Sequence, residues 1–172
     1  MSKNGLTTAR TKMREAGVAQ QAIDVFTHYY TQLEGGATGL IPEETIEPLT
    51  RIDSIDGAAI DEDAAREALD RTALIKLNGG LGTSMGMDRA KSLLPVRDGR
   101  TFLDLLVDQV MAARRRHGVR LPLIFMDSFR TRSDTLAALA AHPGIEVDGL
   151  PLDFLQNREP KLRADDLSPV EW

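Results

Sequence analysis

The stretch Leu77-Asn78-Gly79-Gly80-Leu81-Gly82-Thr83-Ser84-Met85-Gly86 places four glycines within the eight residues from Gly79 to Gly86. Glycine at that density costs backbone entropy on folding, and it earns a place where the main chain must come close to something. Successive N–H groups in such a loop form a concavity that binds anions. Lys91 follows and can set an ammonium near phosphate oxygens. The pattern points to a nucleotide or phosphate site, with a ligand-free glycine-rich connector as the plain alternative.

Two common phosphate loops do not fit. A Walker loop needs glycine directly before Lys91 and five residues before that, where Ala90 and Met85 stand. A dinucleotide loop needs glycine at Gly80, Gly82 and position 85, but the third glycine is displaced to Gly86. Its ribose-binding acid is also missing, because Asp98 falls in a turn and Asp104 in a helix start. His28, His117 and His142 sit on a helix face, at a helix end and in a stop signal, and none is expected to be catalytic.

The elements that must position this loop can be read from periodicity. Ala22, Val25, Phe26, Tyr29 and Leu33 mark one face of a helix ended by Gly35-Gly36, and Gly17 separates an earlier helix. Residues 37–60 read as a connector, with one turn at Pro42-Glu43-Glu44. A helix opens at Asp61-Glu62-Asp63. Ala73–Leu77 reads as a mostly buried strand. Ser92–Val96 is extended, and Arg97-Asp98-Gly99-Arg100 is a turn. Thr101-x-x-Asp104 is a capping box before a helix with Leu103, Leu106, Val107 and Val110 inward. Its end carries Arg114-Arg115-Arg116-His117 before Gly118, which reads as a solvated basic terminus. Leu121–Met126 is a second strand, Thr131-x-x-Asp134 caps a third helix, and Leu152–Leu155 is another strand. Alternating strands and helices predict an α/β fold with a mainly parallel or mixed sheet and flanking helices, preceded by N-terminal helices. The composition changes at Thr72, which divides the chain into 1–71, helical segment and connector, and 72–172.

Composition narrows the classes of function. Of 172 residues, 42% are hydrophobic and 27% charged, as in ordinary globular proteins. No cysteine is present, which removes disulfides and thiol chemistry. The net charge of −5 speaks against duplex nucleic acid as a partner. No apolar stretch approaches the roughly 20 residues that span a bilayer. A cytoplasmic protein is expected.

The residues also carry a resemblance. Lys76 to Gly86, Lys91-Ser92-Leu93 and Thr101-Phe102-Leu103-Asp104-Leu105 resemble the signature of UTP–glucose-1-phosphate uridylyltransferases. Met126-x-Ser128-Phe129, Phe154-x-Gln156 and Pro169-Val170-Glu171-Trp172 extend the likeness over residues 72–172. The resemblance implies a Rossmann-like, glycosyltransferase-A-like nucleotidyltransferase domain, present here as its N-terminal and therefore incomplete part. It implies transfer of a uridylyl group from UTP to glucose 1-phosphate, with magnesium, giving UDP-glucose and pyrophosphate. By position, Leu77, Asn78, Gly79 and Gly80 would line the nucleotide pocket, Lys91 would bind the UTP phosphates as the catalytic cation, and Gln156 would bond the uracil edge. Asn78 could instead hold the loop.

Two positions depart from that pattern. Ala90 stands where proline is common, and Asp127 stands where asparagine is expected. The aspartate that binds the metal in this family is expected beyond Trp172, so no metal ligand is assigned here and little turnover is expected of these residues alone. A nucleotide- or partner-binding module without catalysis, and a pyrophosphorylase for another sugar 1-phosphate, are the alternatives.

Overall fold

The computed structural model describes residues 3–171 and groups the chain into two compact units, Met1–Asp53 with Asn157–Trp172, and Ser54–Gln156. The composition change at Thr72 does not coincide with either junction.

In the first unit, helix α1 (Lys3–Glu15) and helix α2 (Gln20–Glu34) pack through Ala9, Met13, Ile23, Phe26 and Tyr30. Gly17 turns the chain between them at φ +71°, a conformation that favours glycine. The buried face of α2 is Ile23-Phe26-Tyr30. The Val25-Tyr29-Leu33 stripe expected from periodicity is largely exposed. Phe26 belongs to both stripes, and the partner helix selects the one that meets Met13. Residues 157–171 return to this pair: the Tyr30 hydroxyl donates to the Leu167 carbonyl at 3.1 Å, and Leu162 and Leu167 cover the cluster. The connector carries one 3-10 turn at Glu43–Thr45, as its Pro-Glu-Glu start predicts.

In the second unit, helix α3 (Glu62–Asp70) starts at Asp61, whose carboxylate accepts from the Ala64 N–H at 2.9 Å. Strand β1 (Leu74–Asn78) leads into the glycine loop. A short hairpin follows, β2 (Pro95–Arg97) and β3 (Arg100–Thr101), turning at Asp98 and Gly99, both at positive φ. Helix α4 (Phe102–His117), strand β4 (Leu123–Asp127), helix α5 (Arg132–Leu139) and strand β5 (Asp153–Leu155) complete the order. The sheet runs β1-β4-β5, all parallel, with Leu77 opposite Met126 and Met126 opposite Phe154.

Both crossover helices lie on one face. Leu103, Val107 and Val110 of α4 and Leu139 of α5 close over Leu123 and Phe125 of β4. On the opposite face β1 is open, which corrects the expectation of a buried first strand: Ile75 is 58% and Leu77 65% exposed, while Ile124 and Met126 beside them are half-buried. An apolar run tells that a strand suits burial; it does not tell that β1 lies at an edge, with β4 as its one neighbour among the described residues.

The α4 capping box forms as expected. The Thr101 hydroxyl accepts from the Asp104 N–H, and the Asp104 carboxylate accepts from the Thr101 N–H at 2.7 Å. His142, at the end of α5, bonds the other Asp104 oxygen at 2.7 Å. These donors, the Thr101 backbone N–H first and then the Thr101 hydroxyl and His142, outweigh burial and hold the Asp104 carboxyl below the usual aspartate range. A lowered folded-state pKa contributes stability that is complete above the unfolded value and lost as pH falls through the folded one. Melting temperature measured from about pH 5 down to about pH 3 is therefore expected to fall more steeply for the native chain than for Asp104→Asn.

The basic end of α4 is not simply solvated. Arg114 turns inward and its guanidinium donates to the carbonyls of Leu121 (3.2 Å), Gly144 (2.9 Å) and Ile145 (3.0 Å). Burial lowers its pKa. At α5, Thr131 occupies the cap position, but the expected Thr131–Asp134 box does not form. Its hydroxyl is committed instead to the Ser128 N–H and to Asp127.

Candidate nucleotide-binding site

In a parallel sheet the carboxyl ends of the strands share one edge, and that is where open α/β sheets bind ligands. Here those ends are Asn78, Asp127 and Leu155, followed directly by Gly79, Ser128 and Gln156.

The glycine loop is closed at its base. The Lys91 N–H donates to the Gly80 carbonyl at 3.0 Å and the Gly82 N–H to the Arg89 carbonyl at 3.2 Å. Its far half folds on itself: the Met85 and Met87 amides donate to Gly82, and the Gly86 amide to Thr83, with Gly86 left-handed at φ +70°. The cradle is thus shorter than the glycine content suggests. Among the described residues, the amides of Gly79, Gly80 and Leu81 at the loop entry, like those of Thr83 and Ser84 at the start of the 3-10 turn, take no backbone partner, and the first three lie next to the strand end.

Lys91 opens a 3-10 turn, Lys91–Leu93, and its side chain is exposed. A cavity of about 550 Å³ lies between the loop and α4, lined by Lys76, Leu77, Asn78, Gly80 and Lys91, with Ser92 and Phe102 also among its lining residues. The structure therefore brings four of the expected residues, Leu77, Asn78, Gly80 and Lys91, to one cavity. Gly79 and Gln156 meet separately, where a Cβ built on Gly79 would collide with the Gln156 amide oxygen. Gly79→Ala is expected to displace the Gln156 side chain. Calorimetry should show weakened uridine-nucleotide binding, with the melting temperature changed by less than a core substitution would change it.

Asn78 is 5% exposed, and its side-chain N–H groups are spent inside the protein. They donate to the Asp127 carboxylate at 2.9 Å and to the Thr135 hydroxyl at 2.8 Å. Its side chain thus ties the end of β1 to β4 and α5 through Asp127 and Thr135, and not through the backbone of the loop. Asp127 stands out in the sequence only as a departure and Thr131 only as a helix cap; that they join Asn78 and Thr135 in one cluster was not legible. The signal available was the spacing of Asp127, Thr131 and Thr135 at i, i+4 and i+8 across a helix start, which reads equally well as a polar helix face. Ser92 was also missed: its hydroxyl is buried beside the cavity with no partner among the described residues.

Comparison with known proteins decides the family. The family model for UTP–glucose-1-phosphate uridylyltransferase matches residues 23–172. The chain belongs to the UTP–glucose-1-phosphate uridylyltransferase family. A uridylyltransferase from Musa acuminata is 37% identical over 132 residues, 76% of this chain and 27% of that protein. One from Hordeum vulgare is 33% identical over 97% of this chain and 36% of that protein. A solved UDP-glucose pyrophosphorylase variant from Leishmania major, in complex with UDP-glucose, aligns over the whole chain with TM-score 0.84 and 34% identity, covering 36% of that structure. A solved UDP-glucose phosphorylase from Trypanosoma brucei aligns over 99% of the chain, and 36% of that structure, with TM-score 0.85 and 35% identity. The chain spans about a quarter to a third of the length of these relatives.

The two departures from the uridylyltransferase pattern have structural answers. Ala90 is fully buried at φ −53°, close to the value proline imposes, so the backbone entering Lys91 keeps that shape without the ring. Asp127 points into the buried cluster and away from the cavity, so it does not set a negative charge among the ligand-facing groups.

Proposed function

We propose that this chain supplies the uridine- and triphosphate-binding part of an enzyme that transfers a uridylyl group from UTP to glucose 1-phosphate. In that reaction an oxygen of the sugar phosphate attacks the α-phosphorus of UTP in line, a new P–O bond forms, and the bond to the β-phosphate breaks to release pyrophosphate. The sugar phosphate is itself the nucleophile, so the protein contributes position and charge. The free amides of Gly79 and Gly80 would take phosphate or ribose oxygens. The Lys91 ammonium would offset charge that develops at the α-phosphorus. The Gln156 amide, packed on Gly79, would bond the uracil edge.

The observation that carries this reading is the convergence of Gly80 and Lys91 on one cavity at the carboxyl edge of a parallel sheet, in a chain of this family. Magnesium is part of the proposal through the family. Among the described residues no group of three or more His, Asp or Glu is placed to hold a metal ion, and no role above is routed through one. No helix of the described residues is long and apolar enough to cross a membrane, and a cytoplasmic location is proposed with the activity. Titration of the chain with UTP by calorimetry is expected to show one site that prefers UTP to CTP. Absence of heat at millimolar nucleotide would sink the proposal.

A further inference from the structure

Asp127 is fully buried and lies at the end of the central strand. Its Oδ1 accepts from the Asn78 amide at 2.9 Å and from the Thr135 hydroxyl at 2.9 Å, while the Thr131 hydroxyl stands at 3.4 Å. Its main-chain carbonyl accepts from the Gln156 N–H at 2.8 Å. Its Oδ2 is buried with no partner among the described residues. A carboxylate with one oxygen left unsatisfied in the interior is costly. Stability alone does not account for such a group, but the bonds it makes describe another role. Through its side chain it fixes the residue before Gly79, and through its main chain it fixes the residue whose side chain packs on Gly79. One amino acid thus ties together the three strand ends that carry the glycine loop and Gln156.

We infer that Asp127 is a positioning residue for base recognition, holding Gly79 and Gln156 in register so that the Gln156 amide presents one orientation to the base. The inference rests on the uridine reading above. The chemistry makes orientation matter. Uracil offers a carbonyl acceptor and an N–H donor where cytosine offers an amino donor and a ring-nitrogen acceptor. A primary amide has one donor and one acceptor head, so an amide free to turn over serves both bases. On the side of Gly79 where a Cβ would stand, the Gln156 oxygen lies nearer than its nitrogen, an asymmetry that a held amide retains and a loosened one loses.

The test compares Asp127→Asn, which keeps Oδ1 as acceptor, with Asp127→Leu, which keeps the branching at Cγ and removes both oxygens, and with Thr135→Val, which removes one bond to Asn78 and one to Asp127. Two readouts are taken on the whole chain. The first is the amide resonances of Gly79 and Gly80 and the side-chain amide of Gln156 without nucleotide. The second is the ratio of UTP to CTP affinity. Asp127→Asn is expected to leave both near native. Asp127→Leu is expected to shift the resonances and lower the ratio roughly fivefold to tenfold, as loss of one oriented hydrogen bond would. Thr135→Val should fall between. A role confined to stability would scale both affinities together through the folded fraction and leave the ratio unchanged. An unchanged ratio in Asp127→Leu, or a lost ratio in Asp127→Asn, overturns the inference. If the native chain binds neither nucleotide, the uridine reading fails and the resonances alone decide: a shift confined to Asp127→Leu and Thr135→Val upholds the bracket, and no shift removes it.

Discussion

Lys91→Ala is expected to weaken UTP binding by roughly tenfold to a hundredfold while leaving the melting temperature unchanged, because a charge-assisted bond to phosphate is worth about 1.5–3 kcal/mol. The side chain is exposed, so its removal leaves no cavity and strands no partner. The main chain at this residue does separate work, closing the loop through its N–H to Gly80, and alanine preserves that bond. Binding to the mutant should also depend less on salt, since one cation has left the phosphate path. Calorimetry at two ionic strengths checks both statements. Lys91→Arg is expected to recover only part of the affinity, because a planar fork does not reproduce a compact ammonium. Native-like UTP binding by Lys91→Ala would take this residue out of the phosphate site.

The largest effect on stability is expected at Phe125. It is fully buried in the middle of β4, where the helices α4 and α5 close over the sheet through Val107, Val110 and Leu139. Phe125→Ala removes most of an aromatic side chain from that layer, with an expected cost of about 3–5 kcal/mol. Domains of this size carry about 5–15 kcal/mol in total, so the variant should melt far below the native chain or fail to accumulate. Phe125→Leu should lose much less, since it refills most of the volume. Chemical denaturation followed by circular dichroism separates the two. Because Phe125 neighbours Asp127 along the strand and leads toward the same sheet edge, nucleotide binding should fail in Phe125→Ala through loss of the folded state.

What could be read from the sequence was whatever local chemistry decides. The Thr101–Asp104 box, the turn at Asp98-Gly99 and the left-handed stop at Gly118 involve neighbours within a few residues, and all three form as read. The parallel order followed from the alternation of elements, and the position of the glycine loop followed from the strand before it. Where a distant partner decides, the reading erred. The stripe of α2 depends on where α1 sits, and the exposure of β1 depends on its place at the sheet edge. Arg114 and its neighbours share one local signature, and only the chain around Gly144 distinguishes the arginine that turns inward. Thr131 had the spacing of a cap, but Asp127 and Ser128 compete for the same hydroxyl. The candidate site divides in the same way: Gly80 and Lys91 were legible from type and spacing, whereas the Asp127 cluster joins two strand ends, Asn78 and Asp127, that lie 49 residues apart.

The placement of both crossover helices on one side of the sheet has a practical consequence. Ile75 and Leu77 present a greasy patch in the native state, so a fluorogenic reporter of apolar surface should light up before any heating begins. Thermal-shift screening with such dyes would then start from a high baseline and blur the transition, and ligand-induced stabilisation of this chain is better followed by ellipticity or by the heat of unfolding itself.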